Sequence, residues 1–370
     1  MLSAADDYLI HQIAEPVRIV QSSDRNFYDR HYFLVHNSSD DVALVFGLGL
    51  YPNLGTLDAF ATLRLGDKQH VLRSSRRLGD RMDTSCGPMR VEVVEGLRKL
   101  RITIAPNDSG IEADLLFEGA HPAQLEPRQA MRASYGRVVM DVMRYGQTGH
   151  YSGWLKLPDG TRREASAPDW AGYRDRSWGI RPVGEQEPSG IAAKSKPSYL
   201  WLYCAAQFAE YTLMLKAQDL GNGKRVLQEA VRIWNDPARR PDHLKGLEHD
   251  LTMDANGHFF TGGTLTCRER DGSELRVQIE QLLPVYLMAG TGYHDDDREW
   301  RHGAYKGDLV TQNLVYDVRE DGVGVPSIID AVGRYTCNGD VGYGLFEYGL
   351  MGNMPRYGVE GEGYWNGPKG

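Results

Sequence analysis

The sequence predicts an all-β protein of two tandem antiparallel domains, each barrel-like or sandwich-like, and three observations carry that reading. Apolar and polar residues alternate in short runs closed by turn formers, the period of strands with one buried face. A stretch rich in Pro, Gly, Ser and charge, residues 182–198, interrupts two strand-dense halves of similar length. The 370 residues exceed what one hydrophobic core usually organises, which favours two domains, expected over 1–185 and 186–370.

In the first half the alternation places strands at 31–36, 42–50, 62–65, 91–94, 100–104, 113–118 and 151–157. Asn37-Ser38-Ser39-Asp40 and Pro158-Asp159-Gly160 supply turns. In the second half strands are expected at 199–208, 211–217, 225–234, 263–270, 275–283 and 333–336. Gly221-Asn222-Gly223 and Arg270-Asp271-Gly272 suit tight hairpins, because Asn, Asp and Gly tolerate positive φ. Residues 124–135 are the one candidate for a longer helix, and 9–13 for a short helical turn. The polar, glycine-rich 365–370 read as a frayed tail.

Composition excludes several function classes. A net charge of -8 argues against a nucleic-acid partner, whose phosphates need clustered Lys and Arg. The short basic run from Arg73 to Arg81 reads as a solvated strand face or turn. Cys86, Cys204, Cys267 and Cys337 form no CxxC pair, so they are expected as free, mostly buried thiols. The first 16 residues lack the apolar core of a secretory signal, and no window approaches the roughly 18 apolar residues of a membrane span. A cytoplasmic location is the resulting expectation. The chain shows no GxSxG elbow, P-loop or strand-linked GxGxxG, so no cofactor is expected.

The most unusual segment is Trp170-Ala171-Gly172-Tyr173-Arg174-Asp175-Arg176-Ser177-Trp178-Gly179-Ile180-Arg181. If extended, it sets Tyr173, Asp175 and Ser177 on one face and Arg174, Arg176 and Trp178 on the other. An irregular backbone, which Gly172 and Gly179 permit, would instead bring Asp175 and Trp178 together. Desolvation beside aromatic rings would keep Asp175 protonated as a general acid, while flanking guanidinium groups would keep it ionised as an ion pair or a base.

These residues resemble the signature of carotenoid 1,2-hydratase and AttH-like proteins, and more closely that of bacterial relatives carrying His followed by RDRSWG and Arg. Here Tyr173 stands in the position of that His. The resemblance extends to Gly47-Leu48-Gly49-Leu50-Tyr51-Pro52-Asn53 with Asp58, to Cys86-Gly87-Pro88, to Gly149-His150-Tyr151-Ser152-Gly153 and to Gly342-Tyr343-Gly344-Leu345-Phe346-Glu347-Tyr348-Gly349. It implies two lipocalin-like β-barrels and cofactor-free chemistry on an isoprenoid double bond. It also implies that Asp175 protonates the alkene and that Trp178, three positions on, stabilises the cation through its ring face.

Other candidates complete the expected site. Tyr173 or His150 is a possible proton relay. Arg174, Arg176, Trp154, Trp201, Tyr203, Tyr51 and Glu347 are candidates for the substrate pocket, with Trp201 and Tyr203 on one face of their strand. Glu347, between Phe346 and Tyr348, either faces solvent, pairs with an arginine or acts as a second acid/base. The run of residues 293–302 holds carboxylates and imidazoles but fits no known metal motif, so a solvated loop is expected, with Trp300 and His302 at a cavity mouth. Taken together, the expectation is a cofactor-independent lyase or isomerase of hydratase, dehydratase or cyclase type acting on a hydrophobic terpenoid-like or aromatic small molecule. The rival is a non-catalytic lipocalin-like carrier of a hydrophobic ligand.

Overall fold

A computed structural model describes residues 2–132, 135–183, 198–257, 259–293, 300–320 and 328–359. Among these the regular structure is β-strand with two short 3-10 turns, Ala4–Asp7 and Pro355–Tyr357, and no α-helix. Two antiparallel sheets curl into nearly closed barrels, the tandem lipocalin-like arrangement expected from the alternating pattern. The expected boundary at 185/186 and the tail at 365–370 lie outside the described residues.

The first sheet runs Lys68–Arg77, Thr56–Leu65, Val42–Tyr51, Phe27–His36, Ala171–Ile180, Val138–Lys156, Glu112–Gly119, Lys99–Ile104, Met89–Glu95. The second runs Arg225–Trp234, Tyr211–Leu220, Tyr199–Gln207, Asp340–Met351, Ile328–Cys337, Glu274–Tyr286, Phe260–Arg268, Lys245–Met253. One strand breaks the partition: Leu309–Asp317, from the second half of the chain, pairs antiparallel with Lys68–Arg77 and extends the first sheet.

Period-2 alternation sorts most buried side chains into three large cores, beside a small fourth cluster of Tyr28, Tyr51, Val142 and Val183. One face of each sheet fills its own barrel, with Phe33, Leu44, Phe46 and Tyr151 in the first and Leu202, Cys204, Phe260 and Phe346 in the second. The opposite faces pack on one another through Tyr32, Leu34, Val45, Phe60 and Tyr173 against Tyr203, Met214, Val285, Val332 and Leu345. All four cysteines are buried and unpaired.

Three local expectations are corrected. Residues 124–132 are not helical: Gln124–Leu125 and Gln129–Arg132 pair with the long strand Val138–Lys156, and Pro127 between them cannot supply a helical N–H. Residues 9–13 form no helix, and the nearby turn is Ala4–Asp7. The basic run is not solvated throughout, because Arg73 is buried, donates to the Gly290 carbonyl and lies 4.5 Å over the Trp300 ring.

The crowding between strands sets a test. A Cβ on Gly172 would stand 1.9 Å from the Leu34 carbonyl oxygen, a backbone atom that cannot swing aside. Gly172→Ala should therefore destabilise the fold, at the upper end of the about 1–3 kcal/mol typical of overpacking, as read by urea denaturation.

Candidate functional site

The cavity of interest lies between the barrels rather than inside either. It has a volume of about 530 Å³, and its walls include Tyr32, Arg144, Asp175, Trp201, Asp330 and Glu347. Each comes from a strand whose alternate residues point into a barrel core. Phe346 and Tyr348 face inward while Glu347 faces the cavity, and Ile329 and Ala331 face inward while Asp330 faces the cavity.

Register lines these groups up. Across the second sheet Asp330, Glu347, Tyr203, Lys216 and Glu229 are successive cross-strand partners, a polar row on its outer face. On the first sheet Tyr32 is the partner of Asp175. The Tyr32 hydroxyl donates to Asp330 Oδ2, and Trp201 Nε1 donates to Glu347 Oε1 at 2.6 Å. Asp330 Oδ1 is buried with no hydrogen-bond partner among the described residues.

Removing these carboxyls from water makes their charged forms costly. Burial pushes Asp330 well above the usual carboxylate range, and the charge of its neighbour Glu347 pushes it further. Burial also raises Glu347 and Asp175, in each case opposed by the Arg144 guanidinium. Three carboxyls, Asp175 from the first sheet and Asp330 and Glu347 from the second, thus hold their protons to higher pH than exposed carboxyls do.

Next to them lies a buried ion cluster of the opposite character. Tyr173 donates to the Tyr203 hydroxyl at 2.9 Å, Tyr203 donates to Glu126 Oε1 at 2.9 Å, and Lys216 donates to Glu126 Oε2. Burial opposes charge on Glu126, but Lys216 and Arg144 outweigh it and hold its carboxyl below the usual range. Gly146 makes room for the tyrosine pair, since a Cβ there would stand 2.6 Å from the Tyr173 hydroxyl and 2.9 Å from that of Tyr203.

The structure brings some of the sequence-predicted residues together and separates others. Ala171–Ile180 is a continuous strand paired on both sides, so Asp175 and Trp178 face opposite ways. Asp175, Glu347 and Trp201 line the cavity, and Tyr173 and Tyr203 form the hydrogen-bonded chain behind it. Trp178 instead packs edge-on against Tyr145, 6.2 Å between ring centroids. Arg174 donates to Gln147 Oε1 and Arg176 to Asp29, both away from Asp175. Trp154 lies under the Arg162 guanidinium at 4.4 Å, and His150 is hydrogen-bonded to Gln207 at 2.9 Å; neither is among the cavity-lining residues. Tyr51 accepts from Arg30 at 3.2 Å and donates to Asp58 at 3.1 Å. Of the 293–302 run, 294–299 lie outside the described residues. His302 is buried, with Nδ1 2.8 Å from Arg30 Nη1. No group of metal-binding side chains occurs among the described residues.

Asp330, Arg144, Tyr32, Glu126 and Lys216 were missed. Asp330 left a signal, a lone acid in the apolar run Ile328-Ile329-Asp330-Ala331-Val332. Arg144 left none, because its strand is unusually rich in polar residues.

Residues 2–360 match the model of a family of unknown function, DUF8625. The chain belongs to that family. No curated protein matches the DUF8625 chain. Among solved structures it is similar to an AttH protein from Nitrosomonas europaea, with a TM-score of 0.52 at 12% identity over 87% of this chain and 92% of that one. It is also similar to CghA with Sch210972, with a TM-score of 0.49 at 11% identity over 88% of this chain and 89% of that one. The AttH likeness is one of fold, the two-barrel architecture that the sequence resemblance implied.

Two measurements test the electrostatics. Lys216→Met should cost about 3–5 kcal/mol by stranding the Glu126 charge, and adding Glu126→Gln should recover most of it in thermal or urea denaturation. Asp330 is raised in the folded state, so the folded protein holds its proton to higher pH and loses stability as pH rises from about 4 through the raised value. Asp330→Asn keeps an acceptor for Tyr32 and removes that loss. The variant should match wild type near pH 4 and exceed it in stability at alkaline pH.

Proposed function

We propose that the DUF8625 chain is a cofactor-independent acid/base enzyme, a lyase or isomerase of hydratase, dehydratase or cyclase type, acting on a hydrophobic terpenoid-like or aromatic small molecule. The observation that carries this reading is the inter-barrel cavity with Asp175, Asp330 and Glu347 on its walls, all favoured in their protonated forms by burial. A carboxyl whose proton is held more tightly by burial can donate it to an alkene or a leaving hydroxyl and take it back from carbon.

Asp175 is the proposed proton donor. Among the described residues its carboxyl takes part in no hydrogen bond, which leaves both oxygens to a ligand. Asp330 and Glu347 are cross-strand neighbours, and like charges so close resist ionising together, so at least one of the two is suited to retain its proton and return it to the site. The Trp201 ring and the apolar side chains Met140, Leu227, Leu287 and Ile328 supply a wall on which a largely hydrocarbon substrate can rest. Trp178, on the barrel side of its strand, takes no part in this arrangement.

A carrier would bind without turnover, so the two readings separate on chemistry. Asp175→Asn should bind hydrophobic ligands as the wild type does and lose about 100- to 10,000-fold in turnover of a terpenoid or aromatic substrate panel. Glu347→Gln should lose turnover too and move the alkaline limb of the pH–rate profile. Full activity in Asp175→Asn, or no conversion of any panel member by the wild type, would sink the assignment.

A further inference from the structure

Arg144 has no hydrogen-bond acceptor among the described residues, and its guanidinium lies 5.8 Å over the Trp201 ring. It lies on the cavity face of Val138–Lys156, opposite Ser177 in the next strand. Its one ionic contact among the described residues is Nε to Glu126 Oε2 at 3.9 Å, and Glu126 is already bonded to Lys216 and Tyr203. Nε is buried with no hydrogen-bond acceptor, and no described group accepts from the rest of the guanidinium. Asp175, also on the cavity wall, is likewise without a hydrogen-bond partner. A donor set and an acid therefore border the same space without touching.

A guanidinium withdrawn from water is expensive unless its N–H groups are accepted. A pure hydrocarbon filling the cavity would leave Arg144 stranded. A carboxylate would answer it but would place its charge beside Asp175, Asp330 and Glu347, where burial already disfavours the ionised form of a carboxyl. A neutral carbonyl oxygen accepts from Arg144 at neither cost.

We propose that Arg144 forms a carbonyl subsite: the substrate is an apolar molecule bearing a ketone or related neutral carbonyl whose oxygen takes hydrogen bonds from this guanidinium. The inference rests on the acid/base reading above and narrows its substrate class. A carbonyl held this way makes the adjacent C–H bonds more acidic and its enolised form more stable, which is the chemistry a neighbouring carboxyl can use.

The test compares 4-phenylcyclohexanone, phenylcyclohexane and 4-phenylcyclohexane carboxylate as probes at pH 7.5, with binding measured by tryptophan fluorescence and calorimetry. In the wild type the ketone should bind at least about tenfold more tightly than either other probe. Arg144→Met should erase the ketone's advantage over the hydrocarbon while leaving hydrocarbon binding in place, and Arg144→Lys, which keeps a donor, should restore part of it. Thermal melts establish that each variant is folded. Equal binding of ketone and hydrocarbon, tighter binding of the carboxylate, an advantage that survives Arg144→Met, or no ketone binding would each overturn the subsite. Asp175→Asn separates the two ideas. A ketone preference that persists there, with no turnover by any form of the protein, retains the subsite and rejects the enzyme. Turnover that needs Asp175 but is indifferent to Arg144 does the reverse.

Discussion

Burial of ionisable groups between two apolar sheet faces is the constraint on which this molecule is organised. The outer faces of the barrels meet through a third hydrophobic core, and within it runs a row of carboxyl, phenol and ammonium groups set by strand register. Such a row is tolerable only if each member is neutral, hydrogen-bonded or matched by an opposite charge. Two parts of the interface meet that requirement differently, and Glu229 at the far end of the row is pushed up to about 7 by burial. Glu126 and Lys216 are charged and paired, whereas Asp330 and Glu347 have no cation bonded directly to them and are pushed toward neutrality. The same interface therefore has a clamped part and a protonic part, and the cavity opens at the latter.

That division explains why the tyrosines matter beyond packing. Tyr32 and Tyr203 each direct a hydroxyl across the interface to a carboxylate supplied by the other barrel's side. A phenol is neutral across the whole physiological range when buried, so it can satisfy an acid without fixing that acid's charge. Arginine in the same place would have locked the carboxyls in their ionised form. The arginines of the Arg174-Asp175-Arg176 segment stay away from Asp175 because strand geometry turns them to the opposite face, where they meet Gln147 and Asp29.

The fold class was legible in the sequence because period-2 alternation and turn chemistry are local signals, and the strands at Val42–Tyr51, Tyr211–Leu220 and Arg225–Trp234 declare themselves within ten residues. Part of the site was legible for the same reason: Asp175, Glu347, Trp201 and Tyr203 are polar or amphipathic residues placed against the local apolar pattern. Arg144 was not, since nothing in its polar strand distinguishes a cation facing a cavity from one facing solvent, while Lys216, a lone cation in the apolar run Leu213-Met214-Leu215-Lys216-Ala217, left a signal that does not say which acid it meets. Their role is created by contacts between positions far apart in the chain. Trp178 shows the converse. A motif made of neighbours in sequence is split by a regular strand into residues that never share a space.

The strand Leu309–Asp317 has a consequence for how such a molecule comes into being. During vectorial synthesis the edge of the first sheet at Lys68–Arg77 emerges more than two hundred residues before the segment that covers it. Until then that edge offers unpaired backbone groups, the feature that invites strand exchange with neighbouring nascent chains. The halves are thus stitched by main-chain hydrogen bonds as well as by their apolar contact. An evolutionary exchange of one barrel for another would have to carry this strand along, or leave the first barrel unfinished.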